Sequence, residues 1–316
     1  MTNDTQQPIL SIGDLVADLV VAVPHLPVEA GQHQLARDIR LEPGGAANFL
    51  IAGARLGAVM AAVGGLGRDP WGHLVADILR QEQVDLSGVQ FSGTTTLVVV
   101  LVGPDGEHVF LGRYGQGDPL ALRPEDIQQI QNCAALYTAG YALAEDRLAA
   151  LTLQALRLAR QSGRPVYFDP GPQFGAVPAD IQTQILPLVD TLLLTADELA
   201  LFPHPHPADL LRHGPRLVVV KQGAGGCTLY SPQKPEGDHF PGYPVPVRDT
   251  SAAGDSFNAA FIAAASRGLP PADCARLANA VGAAKVQKLG GGRNVPTRAE
   301  VQAVLDRFGI EIEIGD

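Results

Sequence analysis

The sequence predicts a three-layer α/β/α fold, in which helices cover both faces of a mostly parallel sheet, with a small β-lid added to this core. Short runs rich in β-branched residues alternate with longer helical patterns, and several of these runs are apolar throughout. Two extended segments interrupt the alternation and are assigned to the lid, at approximately residues 15–42 and 92–118. With 316 residues, 46% of them hydrophobic, the chain is long enough to bury a large core, and we expect one domain over residues 1–316.

The strands and helices of the core follow one another along the chain. Asp69 is a good start for a helix, because its carboxylate accepts hydrogen bonds from free amide groups and Pro70 fits the first helical position. Residues 94–111 are rich in Thr and β-branched residues and predict a hairpin that turns at residues 104–106, Pro-Asp-Gly. The other predicted elements are a strand at residues 9–12 that ends at Gly13-Asp14, a helix at 45–56, a strand at 59–63, a helix at 145–160, buried strands at 166–168, 191–194 and 217–220, and a helix at 256–267.

Composition excludes several classes of protein. The 23 basic and 33 acidic side chains give a formal charge of −10, which argues against a nucleic-acid partner, since affinity for phosphates comes mainly from Lys and Arg. Three widely spaced cysteines predict neither a disulfide framework nor a zinc site, and favour a reducing cytoplasm. Residues 1–7 lack the order of a signal peptide, and apolar runs such as residues 97–102 are far shorter than the roughly 20 residues that a membrane span needs. We therefore expect a cytoplasmic protein without a membrane partner.

The strongest functional signal is the segment at residues 249–255, Asp-Thr-Ser-Ala-Ala-Gly-Asp, which opens a predicted helix. Small residues let the backbone approach a ligand closely, and the first turn of a helix leaves several N–H groups without partners. These groups and the positive end of the helix dipole favour an anion. The Asp255 carboxylate is suited to take a proton from an attacking hydroxyl group. The alternative interpretation is an ordinary helix cap, in which Gly254 serves only tight packing.

A second motif, Pro-Gly-Gly-Ala-Ala-Asn at residues 43–48, also stands at the start of a predicted helix. Paired glycines permit close approach, and Asn48 offers both a donor and an acceptor to a hydroxylated ligand. On its own the motif is equally typical of a simple turn.

Together, in this order and separation, the two motifs resemble the ribokinase-like (PfkB) sugar kinase family, over nearly the whole chain. The pattern D[ST]xxAGD near the C-terminus is the specific one, and GGxxN near the N-terminus supports it. Further support comes from Ile-Gly-Asp at residues 12–14 with Asp18, from Phe-Asp-Pro at 168–170, and from residues 220–226, Val-Lys-Gln-Gly-Ala-Gly-Gly. The resemblance implies a ribokinase-like fold and ATP-dependent phosphorylation of a sugar hydroxyl group.

The resemblance also implies roles for individual residues. Asp255 would be the catalytic base, and the amides of Ala252, Ala253 and Gly254 would form an anion hole. Contacts to the sugar are implied for Asp18, Gly44, Gly45 and Asn48, with Asp14 close by. The competing interpretation places Asp14 and Asp18 in solvent on an edge strand. Glu145 is interpreted as an acid in the first turn of its own helix, where it favours the helix dipole.

On the nucleotide side, the resemblance implies that Lys221 and Gly223 line the pocket for phosphate and ribose, while Gly226 shapes the turn. Asn279 falls on the helix that family members place beside the adenine, although an Asn inside a helix often simply faces water.

The implied cofactors are ATP and Mg²⁺, with K⁺ left open. The family usually has Asn-x-x-Glu where this chain has Thr195 and Glu198, so Glu198 is expected to organise Mg²⁺ through water while Thr195 puts the strength of the Mg²⁺ dependence in doubt. Asp249 and the carbonyl of Ser251 match part of the pattern of a monovalent cation site.

Other chemistries find little support. The chain has no Gly-Lys pair for a P-loop, no GxSxG and no HExxH, and Pro70 stands where a dinucleotide fingerprint starting at Gly65 would need glycine. Two rival functions stay open: a nucleoside kinase of the same family, for which Phe110 and Tyr114 are the candidate stacking aromatics, and a sensor without catalysis. A phosphosugar acceptor would need extra cations, for which the candidates are Arg37, Arg40 and Arg113, and an unphosphorylated sugar is favoured. A homodimer through the lid is also left open.

Overall fold

The computed structural model of the chain describes residues 6–315, which form a twelve-stranded mixed sheet with helices on both faces. The predictions about residues 1–5 lie outside this part. The strands are β1 (Ile9–Ala22), β2 (Asp38–Gly45), β3 (Met60–Leu66), β4 (Asp85–Phe91), β5 (Thr96–Val102), β6 (His108–Arg113), β7 (Ala135–Ala139), β8 (Val166–Asp169), β9 (Thr191–Thr195), β10 (Leu217–Lys221), β11 (Cys227–Ser231) and β12 (Lys234–Phe240). The helices are α1 (Ala46–Arg55), α2 (Pro70–Gln81), α3 (Pro124–Asn132), α4 (Gly140–Ala144), α5 (Asp146–Gln161), α6 (Ala179–Ile185), α7 (Ala196–Leu199), α8 (Pro207–Leu211), α9 (Ala253–Ser266), α10 (Pro271–Val286) and α11 (Arg298–Arg307).

The order of strands in the main sheet creates a crevice for a ligand. The order is β12-β11-β10-β9-β8-β7-β1-β3-β4, and all neighbours from β10 to β4 are parallel, whereas β11 and β12 are antiparallel. From β1 the chain proceeds to β3 and β4 on one side of the sheet. It later proceeds to β7 and then to strands β8 to β12 on the other side. Such a reversal leaves a crevice at the carboxyl ends of the two central strands, which is where open α/β sheets bind their ligands.

Two hydrophobic clusters, one on each face of the main sheet, form the core. Side chains from α1, α2, α9, α10 and α11 pack on one face, and those from α3, α4, α5, α6 and α8 on the other. Successive residues of a strand alternate between them, since Ile9 belongs to the first cluster and Leu10 to the second. This arrangement confirms the predicted three-layer α/β/α architecture.

A small sheet, which we define as residues 15–22 of β1 with β2, β5 and β6, stands beside the core. In this sheet β1 is antiparallel to β2 and parallel to β5, and β5 forms a hairpin with β6. The predicted hairpin is confirmed, with Val102 opposite His108 across the turn. The prediction that the first strand ends at Gly13-Asp14 is wrong, because β1 continues from the main sheet into the small sheet as far as Ala22.

The remaining predicted elements agree with the structure within a few residues. Asp69 caps α2 by accepting a hydrogen bond from the Gly72 amide at 2.9 Å, as its sequence position predicts. Helix α9 begins at Ala253, three residues before the predicted start at 256. Among the described residues, no helix is long and apolar enough to cross a membrane.

Candidate active site

The N-terminus of α9 lies at the centre of the candidate site. Ala252 adopts a left-handed conformation with φ 58°, which turns the chain sharply into the helix and puts Asp255 in the first turn. Within residues 6–315, the amides of Gly254 and Asp255 donate no hydrogen bond to the protein, so they are available to an anion. The Ala253 amide differs, because it donates to the Thr250 carbonyl oxygen at 3.1 Å. Of the three amides predicted to form an anion hole, that of Ala253 is therefore already engaged, whereas those of Ala252 and Gly254 donate to no acceptor within residues 6–315, and the Asp255 amide is a further free donor.

Asn48 joins the two motifs found in the sequence. Its Nδ2 donates to Oδ2 of Asp255 at 3.0 Å, and its Oδ1 accepts from the amide of Gly292 at 2.7 Å. The side chain therefore holds the carboxylate of Asp255 in place from the start of α1. The second N–H of its Nδ2 and the second lone pair of its Oδ1 are left for a ligand.

The environment of Asp255 tunes it as a base. Burial raises the pKa of Asp255 to about 6, and the charge of Asp169 adds to this effect. The hydrogen bond from Asn48 and the charge of Lys221 oppose it. Asp255 is therefore largely ionised at neutral pH, yet it binds a proton more readily than an ordinary aspartate.

The glycines of the N-terminal motif lie directly against two aspartates of β1. A Cβ atom at Gly44 would lie 2.0 Å from Oδ2 of Asp18. Gly45 has a positive φ of 57°, and a Cβ there would lie 2.5 Å from the carbonyl oxygen of Asp14. Any side chain at these two positions would displace the aspartates, which explains why the motif needs glycine.

Asp14, Asp18, Glu145 and Asp255 form an acidic cluster on this side of the site. Burial raises the pKa of Asp18 to about 7, with help from the charges of Asp255 and Glu42, which faces Asp18 on β2. Burial and the charge of Glu145 raise the pKa of Asp14 well above its usual range. Buried carboxyl groups with shifted pKa values are typical of functional sites.

Two sequence interpretations change in view of this cluster. Asp14 is 7% exposed and lies within the crevice, so it is not a solvated residue on an edge strand. Glu145 is 4% exposed, and burial raises its pKa, so it is part of the cluster rather than a solvated acid serving only its own helix. Tyr114 stands near both, because their charges, after burial, raise the pKa of its hydroxyl group.

Lys221, at the end of β10, lies beside the anion hole. Its Nζ donates to Oδ2 of Asp169 at 2.7 Å, and a Cβ at Gly254 would lie 3.6 Å from this Nζ. Although burial lowers the pKa of Lys221, the charges of Asp169 and Glu198 outweigh burial and raise it. The ammonium group is thus a fixed positive charge next to the free amides of α9.

The other residues expected on the nucleotide side shape the backbone. Residues 223–225 form a 3-10 turn after β10, and Gly226 with φ 91° packs against the carbonyl oxygen of Phe240. Asn279 is 7% exposed, and its Nδ2 donates to the carbonyl oxygens of Phe240 and Pro241 at 3.0 and 3.2 Å. Asn279 therefore does not face water, as one interpretation held, but holds the loop that follows β12.

Thr195 and Glu198 cap the short helix α7. The amide of Thr195 donates to Oε2 of Glu198 at 2.7 Å, and the amide of Glu198 donates to Oγ1 of Thr195 at 3.2 Å. Burial and the charge of Asp169 raise the pKa of Glu198. Only Oε2 of Glu198 takes part in this cap. Residues 6–315 contain no group of three or more His, Cys, Asp or Glu side chains that would hold a metal ion by themselves.

Both oxygens of Asp249 are already engaged by the backbone. Oδ1 accepts from the amide of Ser251 at 2.8 Å, and Oδ2 accepts from the amide of Gly290. Burial raises the pKa of Asp249, but these hydrogen bonds outweigh burial. The pKa is therefore lowered, and the group stays ionised. Asp249 fixes the turn that leads into α9.

Sequence reasoning missed the buried network beneath the anion hole. Asp169 accepts from Nδ2 of Asn258 at 2.6 Å and from the amide of Gly171 at 2.9 Å, in addition to Lys221. Asn258 also donates to the hydroxyl group of Tyr137 at 3.3 Å. One signal for this network was present, because Asn258 is a polar residue within the apolar run of helix α9 at residues 257–265.

This chain is similar to known carbohydrate kinases over most of its length. The profile of the pfkB family carbohydrate kinase matches residues 6–298. A fructokinase from Klebsiella pneumoniae is 31% identical over 245 residues, which cover 72% of this chain and 78% of that protein. An ATP-dependent ribose-1-phosphate kinase from Halopiger xanaduensis is 31% identical over 308 residues, covering 95% of this chain and 99% of that protein.

The fold is shared with solved kinases as well. The structure of Arabidopsis thaliana ribokinase complexed with ribose and ATP is similar with a TM-score of 0.81 and 26% identity, over 95% of this chain and 99% of that one. The predicted resemblance and the ribokinase-like fold are confirmed. From the match over nearly its whole length, this chain belongs to the pfkB family of carbohydrate kinases.

Proposed function

We propose that this protein transfers the γ-phosphoryl group of ATP to a hydroxyl group of a small, unphosphorylated sugar, with Asp255 as the general base. The observation that carries the proposal is the pairing of a carboxylate, held by Asn48 at 3.0 Å, with the free amides of Gly254 and Asp255 at the same helix end. Phosphoryl transfer needs such donors, because charge spreads over the phosphoryl oxygens in the transition state.

The sugar is proposed to bind in the crevice between the core and the small sheet. Asp18 and the backbone at Gly44 and Gly45 would hold its hydroxyl groups, with Asp14 and Asn48 close by. Asp255 would then take the proton of the reacting hydroxyl group while that oxygen forms its bond to phosphorus. Cover by the small sheet would exclude water, which otherwise competes with the sugar as acceptor.

The residues present fit ATP and Mg²⁺. Lys221 and the α9 amides offer positive charge and donors for phosphate oxygens, and the turn at Gly223 and Gly226 lies beside them. Bound Mg²⁺ would neutralise phosphate charge, and it commonly uses one or two carboxylates with water and phosphate oxygens as its other ligands. Glu198, with Asp169 near it, meets this requirement through water, and the Thr195 cap supplies the positioning that Asn would otherwise give.

The acidic cluster favours an uncharged acceptor over a phosphosugar. A phosphate dianion placed near Asp14, Asp18 and Glu145 would be repelled by each of these groups that is ionised. Among the three arginines considered for a phosphosugar, Arg40 pairs with Asp38 at 2.7 Å. The Halopiger relative is a ribose-1-phosphate kinase, so sugar phosphates belong in the test as the rival acceptors.

The test is direct measurement of ADP formed from ATP and Mg²⁺ over a panel of pentoses, hexoses, their phosphates and nucleosides. We expect ADP and one phosphorylated product with an unphosphorylated pentose or hexose. A nucleoside as the preferred acceptor would identify the nucleoside kinase instead, and sugar binding without ADP would identify the sensor.

Two further expectations remain predictions. The small sheet exposes Ile39, Phe110 and Leu111, at which a homodimer would form, and sedimentation velocity would measure the oligomeric state. A cytoplasmic location accords with ATP as the phosphoryl donor and with three buried cysteines that are all free thiols, and cell fractionation would test it.

A further inference from the structure

Lys285, in the last turn of α10, is a completely buried lysine close to the anion hole. Its exposure is 0%, and its Nζ donates to the carbonyl oxygen of Lys288 at 3.3 Å. Within residues 6–315, no carboxylate forms an ion pair with it. Lysine is almost never fully buried unless a partner balances its charge, so this position calls for an explanation.

The segment around Lys285 is joined to the turn that leads into α9. The carbonyl oxygen of Val286 accepts from the amides of Arg248 and Asp249 at 2.7 and 3.2 Å. The amide of Gly290 donates back to the carboxylate of Asp249. Lys285 therefore lies where the end of α10 meets the start of the catalytic turn.

Asp249, which is 5% exposed, is the buried negative charge in this adjoining turn. Burial lowers the pKa of Lys285, while the charges of Asp249 and then Asp255 oppose this effect. The charge of Lys285 in turn contributes to lowering the pKa of Asp249. The like charge of Lys288 acts with burial to lower the pKa of Lys285.

A monovalent cation at Asp249 does not fit this arrangement. Each oxygen of Asp249 already accepts one amide hydrogen bond, which leaves one lone pair per oxygen, and a second positive charge would be placed near an ammonium group that is completely buried. Repulsion between like charges is strong in such a poorly solvated interior.

We propose that the ammonium group of Lys285 takes the place of a monovalent cation beside Asp249, so that the kinase needs no K⁺. The proposal rests on the proposed function only for its kinetic part, because cation binding is measurable without catalysis. Its physical basis is that an ammonium group and K⁺ each supply one positive charge. The ammonium group of Lys285 is part of the chain and is therefore always present, whereas K⁺ has to bind from solution. It fixes the turn at residues 249–254 and adds positive potential next to the anion hole.

The test compares K⁺ with tetramethylammonium, which is too large to enter the site, at a constant ionic strength of about 0.1 M. Two quantities are measured: the melting temperature of the protein without substrates, and ADP formed in the presence of ATP and the best sugar, quantified directly by chromatography. For the wild-type protein we expect a melting temperature unchanged within about 1 °C and a turnover unchanged within about twofold.

The matched variants are Lys285→Met, which removes the buried charge at similar volume, and Lys288→Met, which removes a lysine whose Nζ pairs instead with Glu300 at 2.9 Å. In Lys285→Met we expect turnover in tetramethylammonium to fall by about tenfold or more, and K⁺ to restore part of it and to raise the melting temperature. Lys288→Met should respond to K⁺ as the wild type does.

Three results would overturn the proposal: a rise of wild-type melting temperature with K⁺, a saturable activation of the wild type by K⁺ above about fivefold, or a Lys285→Met variant with wild-type turnover and no response to K⁺. The last would mean that Lys285 only caps the end of α10. If Lys285→Met does not fold, the wild-type comparison alone decides. If no acceptor yields ADP, the proposed function fails, and the melting temperatures still decide whether K⁺ binds.

Discussion

Replacement of Asp255 by asparagine is expected to abolish turnover and stabilise the protein at the same time. The variant keeps the shape of the side chain, and its Oδ1 can still accept the hydrogen bond that Asn48 gives to Oδ2 of the carboxylate at 3.0 Å. It loses the proton acceptor and the negative charge. We expect turnover to fall on the order of 10³-fold or more with the affinity for ATP retained, since a general base contributes about 10²–10⁴-fold and its charge adds to this.

The gain in stability follows from the pKa of Asp255, which burial raises from 3.8 to about 6. Two pKa units correspond to about 3 kcal/mol, so ionised Asp255 lowers the free energy of unfolding by at most about 3 kcal/mol. Because the folded-state pKa is the higher one, this penalty is absent below pH 3.8 and complete above pH 6. The variant carries no such charge and should exceed the wild type in stability at pH 8 but match it near pH 4.

Urea denaturation at these two pH values and steady-state ADP formation measure the two effects. Asp180→Asn is the matched control, because Asp180 is also an acid in the first turn of a helix, α6, but is exposed and outside the site. Wild-type kcat/KM should fall tenfold per pH unit below about pH 6 as Asp255 becomes protonated. Wild-type turnover in Asp255→Asn, or a loss of stability at pH 8, would refute the reasoning.

Three further predictions concern the sugar and nucleotide sides. Gly44→Ala should reduce kcat/KM by about 10²-fold, mainly by raising the KM of the sugar, because the new Cβ atom would lie 2.0 Å from Oδ2 of Asp18 and displace this carboxylate. An unchanged KM in steady-state kinetics would contradict this prediction. Sugar binding, measured by calorimetry, should tighten as pH rises through the Asp18 pKa of about 7, because the ionised carboxylate accepts two hydroxyl hydrogen bonds; the same inflection in Asp18→Asn would exclude this assignment. Lys221→Met should lower the free energy of unfolding by about 3–5 kcal/mol and weaken ATP binding, since it leaves Asp169 buried without its cation. The control is Lys234→Met, because Lys234 belongs to an exposed ion pair. Equal stability of the two variants in urea would argue against the role of the Lys221–Asp169 pair.

Elements governed by local chemistry were predictable from the sequence, and elements governed by distant partners were not. The start of α2 follows from Asp69 and Pro70, and the β5–β6 hairpin from a Pro-Asp-Gly turn, so both agree with the structure. The continuation of β1 to Ala22 was missed because its partners, β2 and β5, come later in the chain and no local signal shows that they pair with β1. Register between distant strands is set by the folded sheet.

The same distinction holds for the site. The residue types of the two motifs indicated Asp255 and Asn48, and the structure joins them by a hydrogen bond across 207 positions of sequence. Asp169, whose charge raises the pKa of Asp255, and its partner Asn258 stayed hidden, because they are 89 residues apart and neither belongs to an anion-binding pattern. The hydrogen bond from the Ala253 amide to the Thr250 carbonyl oxygen was also unpredictable, since it depends on the left-handed conformation of a single residue, Ala252.

The central claim is that phosphate oxygens settle on the free amides at the start of α9 beside the Asp255 carboxylate. A crystal structure with ADP, Mg²⁺, aluminium fluoride and the sugar found in the acceptor screen would test it most directly. The account predicts fluoride ligands about 3 Å from the amide nitrogens of Gly254 and Asp255, with the reacting sugar oxygen in hydrogen-bond contact with the Asp255 carboxylate. Aluminium fluoride held elsewhere, with these amides turned toward another part of the protein, would contradict it.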